Sequence, residues 1–282
     1  GASDGSATAS GSGGTSPYTY AWSNAATGAT ATGLAAGTYT VTVEDDNGCA
    51  DTETVTITEP SSMTATITSS TNVNCNGGSD GAATAAGSGG TSPYTYSWSS
   101  GGSSSTETGL AAGTYTVTVE DDNGCTDTDQ VTITEPSSAV AASVTSSTDV
   151  SCNGGSDGAA TAAGSGGTSP YTYAWSNAAT GATATGLAAG TYTVTVEDDN
   201  GCTDTDQVTI TEPTAVTASI TSSTNASCNG ASDGAATASG GGGTSPYTYS
   251  WSTGSSSATI TGLAAGTYTV TVEDDNSCTD TE

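Results

Sequence analysis

The reactive side chains of this sequence are carboxylates and thiols. Its 282 residues include 29 Asp and Glu and 7 Cys, with no Lys, Arg, His or Phe. Without imidazole or amine, no side chain serves as a histidine base or a Schiff-base nitrogen. Glu-Asp-Asp-Asn occurs at Glu44, Glu120, Glu197 and Glu273, and Asp80 and Asp157 each sit in a Gly-flanked turn. Hard oxygen donors suit Ca²⁺. The candidate ligands are Asp80, Glu120, Asp121, Asp122, Asp157, Asp198 and Asp199. A solvated acidic tip is the competing reading. Carboxylate pairs also serve glycosidases. Here the same groups recur in every copy, which points to structure, and the chain is read as non-enzymatic.

The thiols suggest staples. Cys75 and Cys125, Cys152 and Cys202, and Cys228 and Cys278 are each 50 residues apart. These pairs are expected to bond within one repeat, with Cys49 pairing outside the given sequence. The rival scheme joins Cys49–Cys75, Cys125–Cys152 and Cys202–Cys228 across connectors. About ten strand residues would first carry the chain roughly 33 Å away, which disfavours it. A 50-residue loop closed by a disulfide stabilises a fold by roughly 4 kcal/mol on chain-entropy grounds. Such bonds imply an oxidising compartment, either the cell surface or the medium. Zinc fits poorly, because Cys-x-x-Cys pairs and His are both missing.

A formal charge of −29 repels phosphate backbones and anionic lipid, so nucleic-acid partners are not expected. No apolar run is long enough for direct membrane insertion as a helix. Gly, Ser and Thr dominate, as in disordered chains. Tyr, Leu and Val nevertheless keep strict alternation, which favours Thr-rich strands.

One phrase organises these groups. Gly-Thr-Tyr-Thr-Val-Thr-Val-Glu-Asp-Asp-Asn begins at Gly37, Gly113, Gly190 and Gly266. Its apolar residues take every second position, the pattern of a half-buried strand. Ser-Pro-Tyr-Thr-Tyr begins at Ser16, Ser92, Ser169 and Ser245, at intervals of 76, 77 and 76 residues. Such a period is long for a solenoid coil and suits a small domain. Glu-Pro at Glu59, Glu135 and Glu212 closes each unit, giving expected domains 1–60, 61–136, 137–213 and 214–282. The first is expected to lack its opening strand and the last its closing strand. Short Pro-containing connectors imply an extended rod.

Within a unit, Tyr94, Tyr96 and Trp98 share one strand face. Trp98 reads as core. Tyr94 and its equivalents Tyr18, Tyr171 and Tyr247 are also candidates for a sugar-stacking platform. Leu34-Ala35-Ala36-Gly37-Thr38-Tyr39 is similar to the tyrosine corner of immunoglobulin-like sandwiches. In the closing hairpin, a strict two-residue Asn-Gly turn would put Val55 and Ile57 on the wrong face relative to Val41. One extra residue must therefore be absorbed, by a three-residue loop or by a bulge around Asp51–Glu53. Asn276-Ser277 is a weaker turn than Asn-Gly.

Cys-Asn-Gly-Gly-Ser-Asp-Gly, Gly-Gly-Thr-Ser-Pro-Tyr-Thr-Tyr-Ser-Trp, Leu-Ala-Ala-Gly-Thr-Tyr-Thr-Val-Thr-Val and Asp-Asn-Gly-Cys together resemble SprB-type repeats. These occur in giant surface adhesins of Bacteroidota, including the gliding-motility adhesin. The resemblance implies an all-β tandem array of immunoglobulin- or PKD-like sandwiches, type IX export and display on the outer surface. The expected role is a disulfide-stapled stalk or filament that displays or forms an adhesin. Expected partners are surface glycans, other cells or substrata, or further copies of the protein. The alternatives are a carbohydrate-binding array using Tyr and Trp, and a passive spacer in a secreted enzyme.

Overall fold

The computed structural model describes residues 2–282. The first repeat contributes β1 (Gly5–Thr8), β2 (Thr19–Trp22), β3 (Thr30–Leu34), β4 (Gly37–Glu44) and β5 (Ala50–Ile57). The second contributes β6 (Thr64–Thr71), β7 (Gly81–Ser88), β8 (Thr95–Trp98), β9 (Thr106–Leu110), β10 (Gly113–Glu120) and β11 (Thr126–Ile133). The third contributes β12 (Ala141–Thr148), β13 (Gly158–Ser165), β14 (Thr172–Trp175), β15 (Thr183–Leu187), β16 (Gly190–Glu197) and β17 (Thr203–Ile210). The fourth contributes β18 (Thr217–Thr224), β19 (Ser232–Gly241), β20 (Thr248–Trp251), β21 (Thr259–Ala264), β22 (Val270–Glu273) and β23 (Thr279–Thr281). The chain forms two compact units. One comprises Gly1–Ser70, Ala82–Thr108 and Thr114–Thr132, and the other Thr71–Gly81, Gly109–Gly113 and Ile133–Glu282.

The third repeat lies wholly in the second unit and illustrates the fold. Its antiparallel sheets are ordered β12-β13-β15 and β14-β16-β17. Period-two alternation puts Ala160, Ala162, Ala184 and Leu187 of one sheet against Trp175, Val194, Val196 and Ile210 of the other, all buried in one core. The chain is therefore an all-β tandem of immunoglobulin-like sandwiches. Trp175 supplies the bulk that the alanines lack, and its indole N–H donates to the Gly181 carbonyl at 3.0 Å. The tyrosine corner is present: the hydroxyl of Tyr192 donates to Ala188 O at 3.0 Å, and Tyr39 and Tyr268 repeat the bond to Ala35 and Ala264. Cross-strand threonine pairs line both outer faces, among them Thr161–Thr183 and Thr191–Thr209 at 3.1 and 3.2 Å. Each such pair contributes a few tenths of a kcal/mol.

The closing hairpin takes its extra residue as a three-residue loop. The amide of Asp45 donates to Cys49 O, and β4 and β5 pair without interruption from Glu44↔Ala50 to Gly37↔Ile57. Tyr39 then faces Val55, so both strands present their apolar residues to one core, and no bulge forms at Asp51–Glu53. Irregularities fall in the other sheet. The β13–β15 register slips at Gly158/Ala159, passing over Gly186, whose φ of +70° favours glycine. A second slip at Val144/Ser146 interrupts β12.

Strand direction sets which loops share an end. β14 starts level with Glu197, and its last residue, Trp175, pairs with Val194, halfway along β16. β15 resumes midway along β13 and continues in the same direction to Gly158. Together β14 and β15 make one traversal, switching sheets between 176 and 182. The β16–β17 hairpin therefore lies at one end, here the near pole, and the β12–β13 turn lies at the far pole.

The last repeat's hairpin holds Ser277 at φ +64°, where Gly48, Gly124 and Gly201 stand in the other copies at +78° to +80°. A left-handed conformation costs an L-residue roughly 1–2 kcal/mol, part of which glycine returns as unfolded-state entropy. Ser277→Gly is expected to raise the urea midpoint of the fourth repeat by a stabilisation of about 0.5–1 kcal/mol. A lower midpoint would contradict this account of the turn.

Candidate functional site at the joint between repeats

Each near pole is built on one aspartate. Asp198 Oδ1 accepts from the amides of Asn200 and Cys202 at 3.0 and 2.9 Å, and Oδ2 accepts from Thr168 N at 2.8 Å. Asp45, Asp121 and Asp274 take the same three kinds of donor. The Thr168 amide foremost, with those of Cys202 and Asn200, holds the Asp198 carboxyl below the usual range. Asp198 and Asp274 are nearly inaccessible side chains. The hub fixes the hairpin, so that Asn200 and Cys202 project from the pole.

The far pole is the Cys-Asn-Gly turn. Gly78 N donates to Cys75 O at 2.9 Å, and the Asp80 carboxylate accepts from Asn74 N at 3.1 Å and Asn74 Nδ2 at 2.7 Å. The Glu-Pro connector is clamped to this turn. Asn76 Nδ2 donates to Pro136 O at 2.9 Å and Gly77 N to Glu135 Oε2 at 2.5 Å. Asn153, Gly154, Glu212 and Pro213 repeat both contacts.

The two kinds of pole meet. Asn200 Nδ2 donates to Asn74 O at 2.9 Å, and Cys202 is disulfide-bonded to Cys75 with Cα atoms 5.8 Å apart. One repeat further on, Asn276 Nδ2 donates to Ser151 O at 3.1 Å, and Cys278 is bonded to Cys152 at a Cα separation of 5.6 Å. The expected bonds Cys75–Cys125, Cys152–Cys202 and Cys228–Cys278 are therefore corrected. Cys152 and Cys202 belong to opposite poles of one sandwich, about 24 Å apart along an eight-residue strand, and a disulfide tolerates a Cα separation of only about 7 Å. The connector-spanning scheme does not occur either. The bonds span 127 and 126 residues and join the far pole of one repeat to the near pole of the next. Cys49, Cys125 and Cys228 are free and exposed.

The proposed calcium set does not converge. Asp157 serves the far pole, accepting from Ser151 N at 3.0 Å, whereas Asp198 serves the near pole. Glu120, Asp122 and Asp199 are exposed or carry no hub contact of this kind, and Asp80 and Asp121 are held by amide donors. Among the described residues, no three or more His, Cys, Asp or Glu side chains are grouped to hold a metal ion. These carboxylates are spent on N–H donors and do not fit Ca²⁺.

The tyrosines are half-buried. The hydroxyl of Tyr94 donates to Gly89 O at 2.7 Å and that of Tyr171 to Gly166 O at 2.5 Å, while Tyr18 and Tyr247 bond Gly13 O and Gly242 O. Each ring lies over a glycine of the adjoining strand or loop: a Cβ on Gly164 would come within 2.8 Å of the Tyr171 ring. One ring face is thus covered and the hydroxyl engaged.

The sequence reading missed a second use of carboxylates. Asp204 and Asp206 share the inward face of β17 with Val208 and Ile210. They accept from Ala142 N and Val144 N of β12 at 2.8 and 2.7 Å, across the open side of the sandwich. Asp127, Asp129 and Asp280 repeat this on Ala65, Ile67 and Ala218. The alternation Asp-x-Asp-x-x-x-Ile was the available signal. Unpaired strand edges invite pairing with other chains, and here the acidic residues occupy them.

This geometry defines a class: tandem immunoglobulin-like sandwiches cross-tied at their joints. The SprB repeat family model matches 1–27, 67–103, 144–180 and 220–256, one segment in each repeat. The chain is an array of SprB repeats. No curated protein matches it in sequence. Among solved structures, it is similar to three N-terminal domains of the outer capsid protein Hoc of bacteriophage RB49. Identity there is 14% and the TM-score 0.33, covering 79% of this chain and 96% of that one. A tetra-tandem repeat from the extending region of a large adhesion protein gives 19% identity and a TM-score of 0.27, covering 94% and 89%. At TM-scores this low, neither likeness bears on function.

Asp198 gains stability from being ionised. Its folded pKa lies below the unfolded value, so this contribution is full above about pH 4 and is lost as pH falls through the folded value. Asp198→Asn is expected to lower the melting temperature at pH 7 and to flatten the fall in stability below pH 4. An unchanged acid limb would show that the hub does not titrate with unfolding.

Proposed function

We propose that this chain is a structural, non-enzymatic stretch of a cell-surface adhesin. It acts as a stalk whose joints are restrained by disulfides and which displays or forms an adhesive surface. The observation that carries this reading is the bonding of neighbouring repeats to each other, not within themselves. A bond inside a sandwich stabilises one domain. A bond at a joint, beside a connector of a few residues, removes the rotation that domains sharing a chain ordinarily keep. Glu135 and Glu212, clamped to the adjoining turn, support the same reading by tying down the connector itself.

Disulfides that persist call for an oxidising compartment, which supports an extracellular location. Membership of the SprB family supports a surface adhesin. The partners proposed are glycans, other cells or substrata, and further copies of the protein. Pairing of every hub carboxylate with backbone donors supports structure over catalysis.

Small-angle scattering on the intact chain, before and after reduction, tests the stalk. The oxidised chain is expected to give a narrow distribution of extended shapes, and the reduced chain a broader and shorter one. Superimposable profiles would remove the joint bonds from the explanation.

A further inference from the structure

We propose that the free poles at Cys49 and Cys228 are complementary, so that copies of this chain join head to tail through an intermolecular Cys49–Cys228 disulfide. Cys228 occupies the far-pole position of Cys75 and Cys152. Cys49 occupies the near-pole position of Cys202 and Cys278. In both observed joints a far-pole cysteine is bonded to a near-pole cysteine, and an asparagine two residues before the latter donates to the carbonyl preceding the former. Every element of that contact is present at the two free poles. Asn47 precedes Cys49 by two residues, and Ser227 precedes Cys228.

Both poles are prepared as their bonded counterparts are. Asp45 accepts from Thr15, Asn47 and Cys49 amides at 2.9 Å, and Asp233 accepts from Ser227 N at 2.9 Å. Both cysteines are exposed. Cys49 lines an open cleft of about 440 Å³ with Gly11, Tyr18 and Asp45, and Cys228 one of about 630 Å³ with Asn225, Leu263 and Tyr268. Cys125 is also a near-pole cysteine. Its pole follows directly on the connector from the first repeat, so it is the less accessible of the two to a second copy.

The chemistry is thiol–disulfide exchange with a small-molecule disulfide. The Cys49 thiolate attacks one sulfur of oxidised glutathione, forming a mixed disulfide and releasing one glutathione thiolate. The Cys228 thiolate of a second copy then attacks the Cys49 sulfur, forming the protein disulfide and releasing the other glutathione. Two protein thiols are oxidised, one glutathione disulfide is reduced, and the two thiol protons pass to the released thiolates. A near pole joined to a far pole is a heterologous contact that does not close on itself, so growth is open-ended. The net charge of −29 opposes association and is screened beyond about 8 Å at physiological salt.

This inference deepens the stalk reading but is tested separately from it. Full-length chain is incubated at high concentration in a glutathione redox buffer with 0.15 M or more salt, then run on non-reducing gels and peptide-mapped. A ladder of covalent multimers linked Cys49–Cys228 is expected. Cys49→Ser and Cys228→Ser should each abolish the ladder, and Cys125→Ser should keep it. A mixture of the Cys49→Ser and Cys228→Ser proteins should stop at a dimer. Persistent monomer, a ladder in Cys49→Ser, or linkage through Cys125 would overturn the proposal. None of these results disturbs the intramolecular joints, so the stalk reading would stand.

Discussion

No cation balances any charge in this protein, so each carboxylate that the fold places must find an N–H donor. That constraint explains most of the polar architecture. Asp45, Asp121, Asp198 and Asp274 fold the closing hairpins around themselves. Asp204 and Asp206 bridge the open side of a sandwich by accepting from β12 amides. Glu135 and Glu212 hold the connectors against the preceding turn. Amide donors are fixed by the backbone, so these bonds carry geometric information that long, mobile Lys or Arg partners would not. Satisfied in this way, the carboxylates have little capacity left for a metal ion.

The covalent cross-ties follow from the same hubs. Asp198 fixes the hairpin that presents Asn200 and Cys202, and Asp80 fixes the turn that presents Asn74 and Cys75. Two rigid presentations are what a disulfide requires, because its Cα separation is confined to a few ångströms. The small alanine-rich core of each sandwich thus coexists with strongly specified ends. Strength is placed at the joints, where a stalk would otherwise bend.

Much of the sandwich was legible in the sequence. Alternation located the strands, and Trp175 and Tyr192 fell where a core ring and a corner tyrosine should be. Parity alone required an odd residue in the hairpin. Gly186 was not legible as a bulge, because a lone glycine in a Thr-rich strand carries no directional signal. The cysteine pairing was not legible for a related reason. In a repeat array, spacings of 50 and of 126–127 residues recur equally well. Choosing between them requires knowing which pole each turn occupies. That depends on β14 and β15 running in one direction, a detail of sheet switching that periodicity does not encode.

Disulfide mapping of the intact, oxidised chain by non-reducing digestion and mass spectrometry is the most direct test of this account. Cross-linked peptides containing Cys75 with Cys202 and Cys152 with Cys278 are the predicted result. Peptides joining Cys75 to Cys125 or Cys152 to Cys202 would place the bonds inside single sandwiches and contradict it.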